Sequence, residues 1–165
     1  MKTTKKYGRK ADLALGMWVK LARAANTMST LTIRDIATYG LTEAQFGVIE
    51  ALGHLGPMKV GELCAKNLSS GGNMTVVVDN LERDGLVERI RSENDRRAYI
   101  VQLTAKGKTL FHDIFVKHAK FVTDLVYSAL SDEEILNLSK LLKKLGLSLK
   151  DKLKNTEHTL REETK

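Results

Sequence analysis

Residues 86–107, LVERIRSENDRRAYIVQLTAKG, constrain this chain more than any other stretch. Two short strand-like runs flank a loop carrying Arg91, Asp95, Arg96 and Arg97. In the second run Tyr99, Val101 and Leu103 alternate with Ala98, Ile100 and Gln102, the period-2 pattern of a strand with one face covered. Gly85, just ahead, closes a helix, because glycine takes the left-handed conformation at low cost. Cationic side chains at the tip of a hairpin, directly behind a helix, suit contact with a polyanion.

The segments before the hairpin read as three helices. Thr42-x-x-Gln45 is a capping box, in which each side chain satisfies a free N–H of the first turn. It opens a helix with Phe46, Ile49, Leu52 and Leu55 inward, and Gly56-Pro57 ends it. A short helix over 59–66 turns Val60, Leu63 and Cys64 inward, with Asn67 as C-cap. Ser70 caps the third helix. Its inward stripe is Met74, Val77, Val78 and Leu81, and its outward face is Gly72, Asn73, Val76, Asn80 and Arg83.

Helix, short helix, capped helix and hairpin in this order make a winged helix-turn-helix. A helix fits the DNA major groove, and its N-terminal residues reach base edges first. Gly71 and Gly72 remove bulk there, and free N–H groups can hold a phosphate oxygen. The hairpin loop can place an arginine in the neighbouring minor groove.

The flanks are helical. Residues 1–10 read as a basic, poorly ordered tail, and a helix over 11–28 carries Leu13, Met17, Trp18, Leu21, Ala24, Ala25 and Met28. So wide an apolar surface wants a partner, either the rest of the fold or another subunit. A Thr/Ser-rich connection and a short helix over 33–38 follow. After the hairpin come a long helix over 105–129 and, behind the capping box Ser131-x-x-Glu134, a last helix with Ile135, Leu138, Leu141, Leu142, Leu145, Leu149 and Leu153 on one side. The final ten residues or so are polar and expected to fray. The fold class is therefore mainly α with a small two-stranded β-wing, a winged helix-turn-helix flanked by further helices. The expected parts are 1–40 (basic tail and N-terminal helix), 41–107 (winged helix-turn-helix DNA-binding domain) and 108–165 (C-terminal helices).

The net charge of +7 is unevenly spread. Residues 1–40 hold 8 basic and 2 acidic residues, 41–107 hold 8 and 9, and 108–165 hold 11 and 9. The reading head is not basic as a whole, so attraction to phosphate must come from local placement. That balance keeps open an alternative, a winged-helix protein-interaction module that does not bind DNA.

The single cysteine, Cys64, excludes an intrachain disulfide framework and a multi-cysteine zinc site. On the inward stripe it serves as a small hydrophobe rather than a redox sensor. His112 and His118 lie six residues apart, roughly 600° of helical turn, and do not share a face. With only His54 and His158 besides, no metal site forms. No nucleotide-binding loop, HExxH or nucleophile elbow is present, so neither an enzyme nor a cofactor is expected. Lys20 and Arg23 interrupt the N-terminal apolar run, which is neither signal peptide nor membrane span. A soluble, cytoplasmic, nucleoid-associated protein is expected. Met17, Trp18 and Tyr39 are candidates for lining a ligand pocket, although core or dimer packing is the commoner use of such residues.

One set of motifs runs through residues 41–107: Leu41-Thr42-x-x-Gln45-Phe46-x-Val48, Val60-Gly61-Glu62-Leu63, Thr75-x-x-Val78-Asp79-x-Leu81-Glu82-x-x-Gly85-Leu86-Val87-x-Arg89, Asp95-Arg96-Arg97 and Val101-x-Leu103-Thr104-x-x-Gly107. By these residues the chain resembles the MarR family of bacterial transcriptional regulators. The resemblance implies an obligate homodimer whose terminal helices interlock, so that 1–40 and 108–165 make a helical dimerisation region, each winged domain reading half of a pseudo-palindromic operator. It maps the wing's Asp-x-Arg onto Asp95 and Arg97, with Arg97 at the minor groove and Asp95 bracing the wing. It maps recognition-helix contacts onto Ser70, Asn73, Thr75 and their neighbours Gly72 and Val76, while Arg91 and Arg96 are expected to contact DNA from their place between paired strands behind a capped helix. It also implies a repressor released by a small phenolic or other aromatic ligand bound between the dimer base and the winged domain.

Overall fold

The computed structural model describes residues 7–66, 74–91 and 99–163. Among these, nine elements follow in order: α1 Arg9–Thr38, α2 Glu43–Leu55, β1 Met58–Lys59, α3 Val60–Lys66, α4 Met74–Arg83, β2 Val87–Arg91, β3 Tyr99–Leu103, α5 Ala105–Tyr127 and α6 Asp132–Glu163. The chain forms two compact units, one ending at Val122 and the other beginning at Thr123.

The first unit is built around α2. Thr42 Oγ1 accepts from the Gln45 N–H at 3.2 Å, and Gln45 Oε1 accepts from the Thr42 N–H at 2.9 Å, which completes the capping box. Phe46, Ile49 and Leu52 are buried as the spacing predicts. Leu55 is not; it sits exposed in the last turn, beside the left-handed Gly56. Val48, absent from the expected inward face, is fully buried, because other elements cover α2 on more than one side.

Two expectations upstream and downstream of α2 are corrected. Helix α1 runs unbroken through the Thr/Ser-rich stretch. Thr30 and Thr32 return their hydroxyls to the carbonyls of Asn26 (2.9 Å) and Met28 (3.1 Å), so they bond within the helix instead of ending it. Beyond Pro57 the chain is extended at Met58 and Lys59 before α3 begins, and these residues add a third strand to the wing. The sheet order is β1-β3-β2, all antiparallel, with Met58 opposite Val101 and Arg89 opposite Val101 on the other side. Glu62 accepts from the Lys59 N–H at 2.7 Å, which marks Lys59 as the cap and Val60 as the first helical residue.

Helix α4 ends in a Schellman motif. The Leu86 N–H reaches the Leu81 carbonyl and the Gly85 N–H the Glu82 carbonyl, with Gly85 at φ 69°. Thr104 then ties this turn to α5: its hydroxyl donates to the Gly85 carbonyl at 2.7 Å and accepts from the Gly107 N–H at 3.0 Å. The core of the unit joins Phe46, Val48 and Ile49 of α2 to Leu63, Val78, Leu81, Val87 and Val101, with Ile36 from α1 and Phe111 and Ile114 from α5. Truncating one of these, such as Leu81→Ala, costs about 2–5 kcal/mol by lost transfer and cavity formation.

The second unit is dominated by α6. Ser131 and Glu134 meet as the capping box predicts on one side: Glu134 Oε2 accepts from the Ser131 N–H at 2.9 Å and from its hydroxyl at 2.8 Å. Those bonds, the backbone N–H first, hold the Glu134 carboxyl below its ordinary pKa. The expected fraying of the last ten residues is corrected, since the helix continues to Glu163. No Gly or Pro follows Gly146, and Leu, Lys and Glu favour the helix.

Candidate nucleic-acid interface

Helix α4 presents two contrasting sides. Met74, Val77, Val78 and Leu81 are buried, as predicted. Thr75 and Val76 are exposed near its first turn, Val76 by half of its surface. Thr75, Asp79 and Glu82 stand at i, i+4 and i+7 and therefore share a stripe of the helix. Strand β2 lies beside it. Val87, Arg89 and Arg91 share one strand face by alternation, with Val87 buried, Arg89 partly buried and Arg91 exposed.

Arg89 joins the two elements. Its Nη2 is 2.6 Å from Asp79 Oδ1, its Nη1 contacts Glu82 Oε2, and its N–H donates to Glu82 Oε1 at 3.0 Å. Burial acts to lower the Arg89 pKa, but the bonds to Asp79 and Glu82 outweigh it and raise the value, so the group stays charged. The Arg89 side chain is 23% exposed and its partners 52% and 38%, so each bridge is screened and worth about 0–1 kcal/mol. Its effect is chiefly orientation. Glu88 is engaged by Gln102 Nε2 at 2.8 Å and Glu62 by the Lys59 N–H.

Of the expected contact residues, Thr75 and Val76 are exposed on α4 and Arg91 is exposed on β2. Ser70, Gly72, Asn73, Asp95, Arg96 and Arg97, with the caps proposed at Asn67 and Ser70, lie outside the described residues. Asp79, Glu82 and Arg89 were visible only as motif letters. The i, i+3 carboxylate pair followed by an arginine across the Gly85 turn was the signal available for them.

The pocket candidates separate. Met17 and Trp18 are exposed on the outer part of α1, whereas Tyr39 stands just past its end, roughly 30 Å along the helix axis at 1.5 Å per residue. One chain does not bring the three together. Tyr39 belongs instead to a partly buried cluster that sequence reasoning did not find. Its hydroxyl donates to Asp35, 3.1 Å from each carboxylate oxygen, and Asp35 Oδ2 is 2.7 Å from His118 Nδ1 on α5. The His118 ring lies 4.7 Å from that of Phe46. Elsewhere a cleft of about 290 Å³ is lined by residues that include Leu52, Gly53, Gln102, Lys108, Phe111 and His112, and by none of the three candidates. Cys64 is partly buried against the core. Among the described residues, no three His, Cys, Asp or Glu side chains are grouped to hold a metal ion, and no helix is long and apolar enough to cross a membrane.

Helices α2, α3 and α4 backed by a three-stranded antiparallel sheet, with β2 fastened to α4, define a winged-helix protein. The sequence profile of the MarR family matches residues 39–98. The HTH-type transcriptional regulator MhqR of Bacillus subtilis is 35% identical over 139 residues, covering 84% of this chain and 95% of MhqR. The chain belongs to the MarR family and is a winged-helix transcriptional regulator. Among solved structures, NadR in complex with 4-hydroxyphenylacetate is similar at 25% identity and a TM-score of 0.66, over 88% of this chain and 97% of NadR. A mutant MarR of E. coli complexed with operator DNA shares the fold, with a TM-score of 0.70 at 22% identity, over 84% of this chain and 99% of that one.

Proposed function

We propose that this regulator is a homodimeric repressor that occludes a promoter by binding a pseudo-palindromic operator. The observation that carries the reading is the fastening of β2 to the outward stripe of α4 by Arg89, which holds the first strand of the hairpin against that helix. On this reading Ser70, Gly72, Asn73, Thr75 and Val76 face the major groove. Arg91, Arg96 and Arg97 serve the flanking minor groove, braced by Asp95. Residues 41–107 form the reading head, and 1–40 and 108–165 form the dimerisation region.

The dimer is supported by apolar surface left open in the single chain. Leu13, Met17 and Trp18 on α1 and Leu136, Leu141, Leu149 and Leu153 on α6 are all at least 46% exposed. Rows this long on a helix call for a partner. Trp18 and Met17 find their use there. Two domains held by one base read half-sites a helical turn apart or a multiple of it.

The protein acts on DNA in the cytoplasm, at the nucleoid, and performs no catalysis. A small aromatic or phenolic ligand, of the class that NadR holds, relieves repression by binding the non-DNA form better and shifting the population towards it. Footprinting of the full chain on its own upstream DNA tests the proposal. Protection of two half-sites related by a dyad is expected, and protection of a single unpaired site contradicts the dimeric reading.

A further inference from the structure

Strand β2 doubles back along α4. After the turn at Gly85, Arg89 engages Glu82 and then Asp79, both earlier in the helix than its end at Arg83. Glu82 grips the main-chain N–H and the guanidinium of the same residue, so it fixes Arg89 along the strand as well as across it. Arg91, two residues further on the same strand face, has advanced about 6.6 Å. From Asp79 back to Thr75 the helix covers about 6 Å. Thr75 and Arg91 are both exposed on their elements.

We infer that Arg89 is a positioning residue for DNA reading, whose clamp on Asp79 and Glu82 holds β2, with Arg91 on it, against the stripe of α4 that carries Thr75. The inference rests on the reading of α4 and the hairpin as the DNA-contacting elements. Arg89 is spent on two carboxylates, so it acts through alignment and not as a phosphate contact. Bridges this exposed add little stability. Their loss therefore falls on discrimination between sequences, which needs helix and hairpin placed together, more than on non-specific attraction, which needs only charge.

The test is an anisotropy titration of the full chain on a labelled duplex from its own upstream region and on a scrambled duplex of equal length. Arg89→Gln is expected to weaken binding to the native duplex about tenfold and to the scrambled one less than about threefold. The slope of log affinity against log salt stays as in wild type. Arg89→Lys, which keeps the charge and one carboxylate contact, recovers part of the loss. Asp79→Asn is the decisive variant, since Asp79 is half exposed and its bridge is expected to add little stability. Removing a negative charge beside DNA should tighten binding if charge alone matters, whereas loss of alignment weakens binding to the native duplex. Tighter binding by Asp79→Asn overturns the inference. So does an equal loss on both duplexes for Arg89→Gln with a salt slope shallower by about one, the mark of a phosphate contact. Wild-type protein that fails to distinguish the two duplexes removes the underlying DNA reading itself, and the clamp's role with it.

Discussion

Asp35 on α1 and His118 on α5, 83 residues apart in the chain, meet at 2.7 Å between Oδ2 and Nδ1. Both side chains are at most 14% exposed, so the contact is largely sheltered from water. Asp35 also accepts from the Tyr39 hydroxyl. One carboxylate therefore satisfies two partners and pins the end of α1 against α5. Asp35→Ala leaves both without their acceptor and is expected to cost about 1–3 kcal/mol. Thermal or urea melts at neutral pH measure it, and a loss below about 0.5 kcal/mol, within the range of ordinary surface changes, shows the cluster to be idle.

Tyr39 gives the cluster an alkaline signature. Burial first, then the bond to Asp35 and that group's charge, raise the phenol above its ordinary pKa. The folded state thus favours the neutral phenol. Its contribution is complete below the unfolded value of about 10 and is lost as pH rises through the higher folded value. Stability of the wild type should fall across that window, and Tyr39→Phe should flatten the fall. Parallel alkaline limbs for the two proteins would remove Tyr39 from the account.

Two glycines make an internal control. At Gly107 a Cβ would drive into the Leu86 carbonyl, in the turn where Thr104 fastens α5 to the end of α4. Backbone cannot yield as a side-chain tip can, so Gly107→Ala should cost about 1–3 kcal/mol. At Gly61 a Cβ meets nothing, and Gly61→Ala should range from neutral to about 1 kcal/mol stabilising. Equal melting temperatures for the two variants contradict this packing.

The legible parts of the fold were those with local chemistry. Thr42 with Gln45 and Gly85 with Leu86 announce helix ends through bonds a few residues long, and the Met74 to Leu81 stripe announces its face by period. The continuity of α1 was hidden because Thr30 and Thr32 bond either within a helix or out of one, and sequence does not say which. Strand β1 was hidden because two residues carry no period; only the open edge of β3 makes Met58 and Lys59 a strand. At the site, the arginines of the hairpin were conspicuous by type. Arg89 was not, because its meaning lies in the two carboxylates that meet it across a turn. Asp35 and His118 left no trace at all, since nothing local relates them.

Arg97 carries the sharpest prediction about the wing. Arg97→Ala should weaken binding to the native upstream duplex by about 1–3 kcal/mol while leaving melting temperature and oligomeric state unchanged. Affinity within twofold of wild type contradicts the wing assignment.

The central claim is that this chain reads DNA through α4 and its hairpin. Its most direct test is the affinity of the full chain for its own upstream duplex across a series of salt concentrations, beside a scrambled duplex. The account predicts tighter binding to the native duplex by about 10³-fold or more, and an affinity that falls steeply with salt as phosphate contacts release counterions. Equal affinity for both duplexes, or tight binding indifferent to salt, would contradict it.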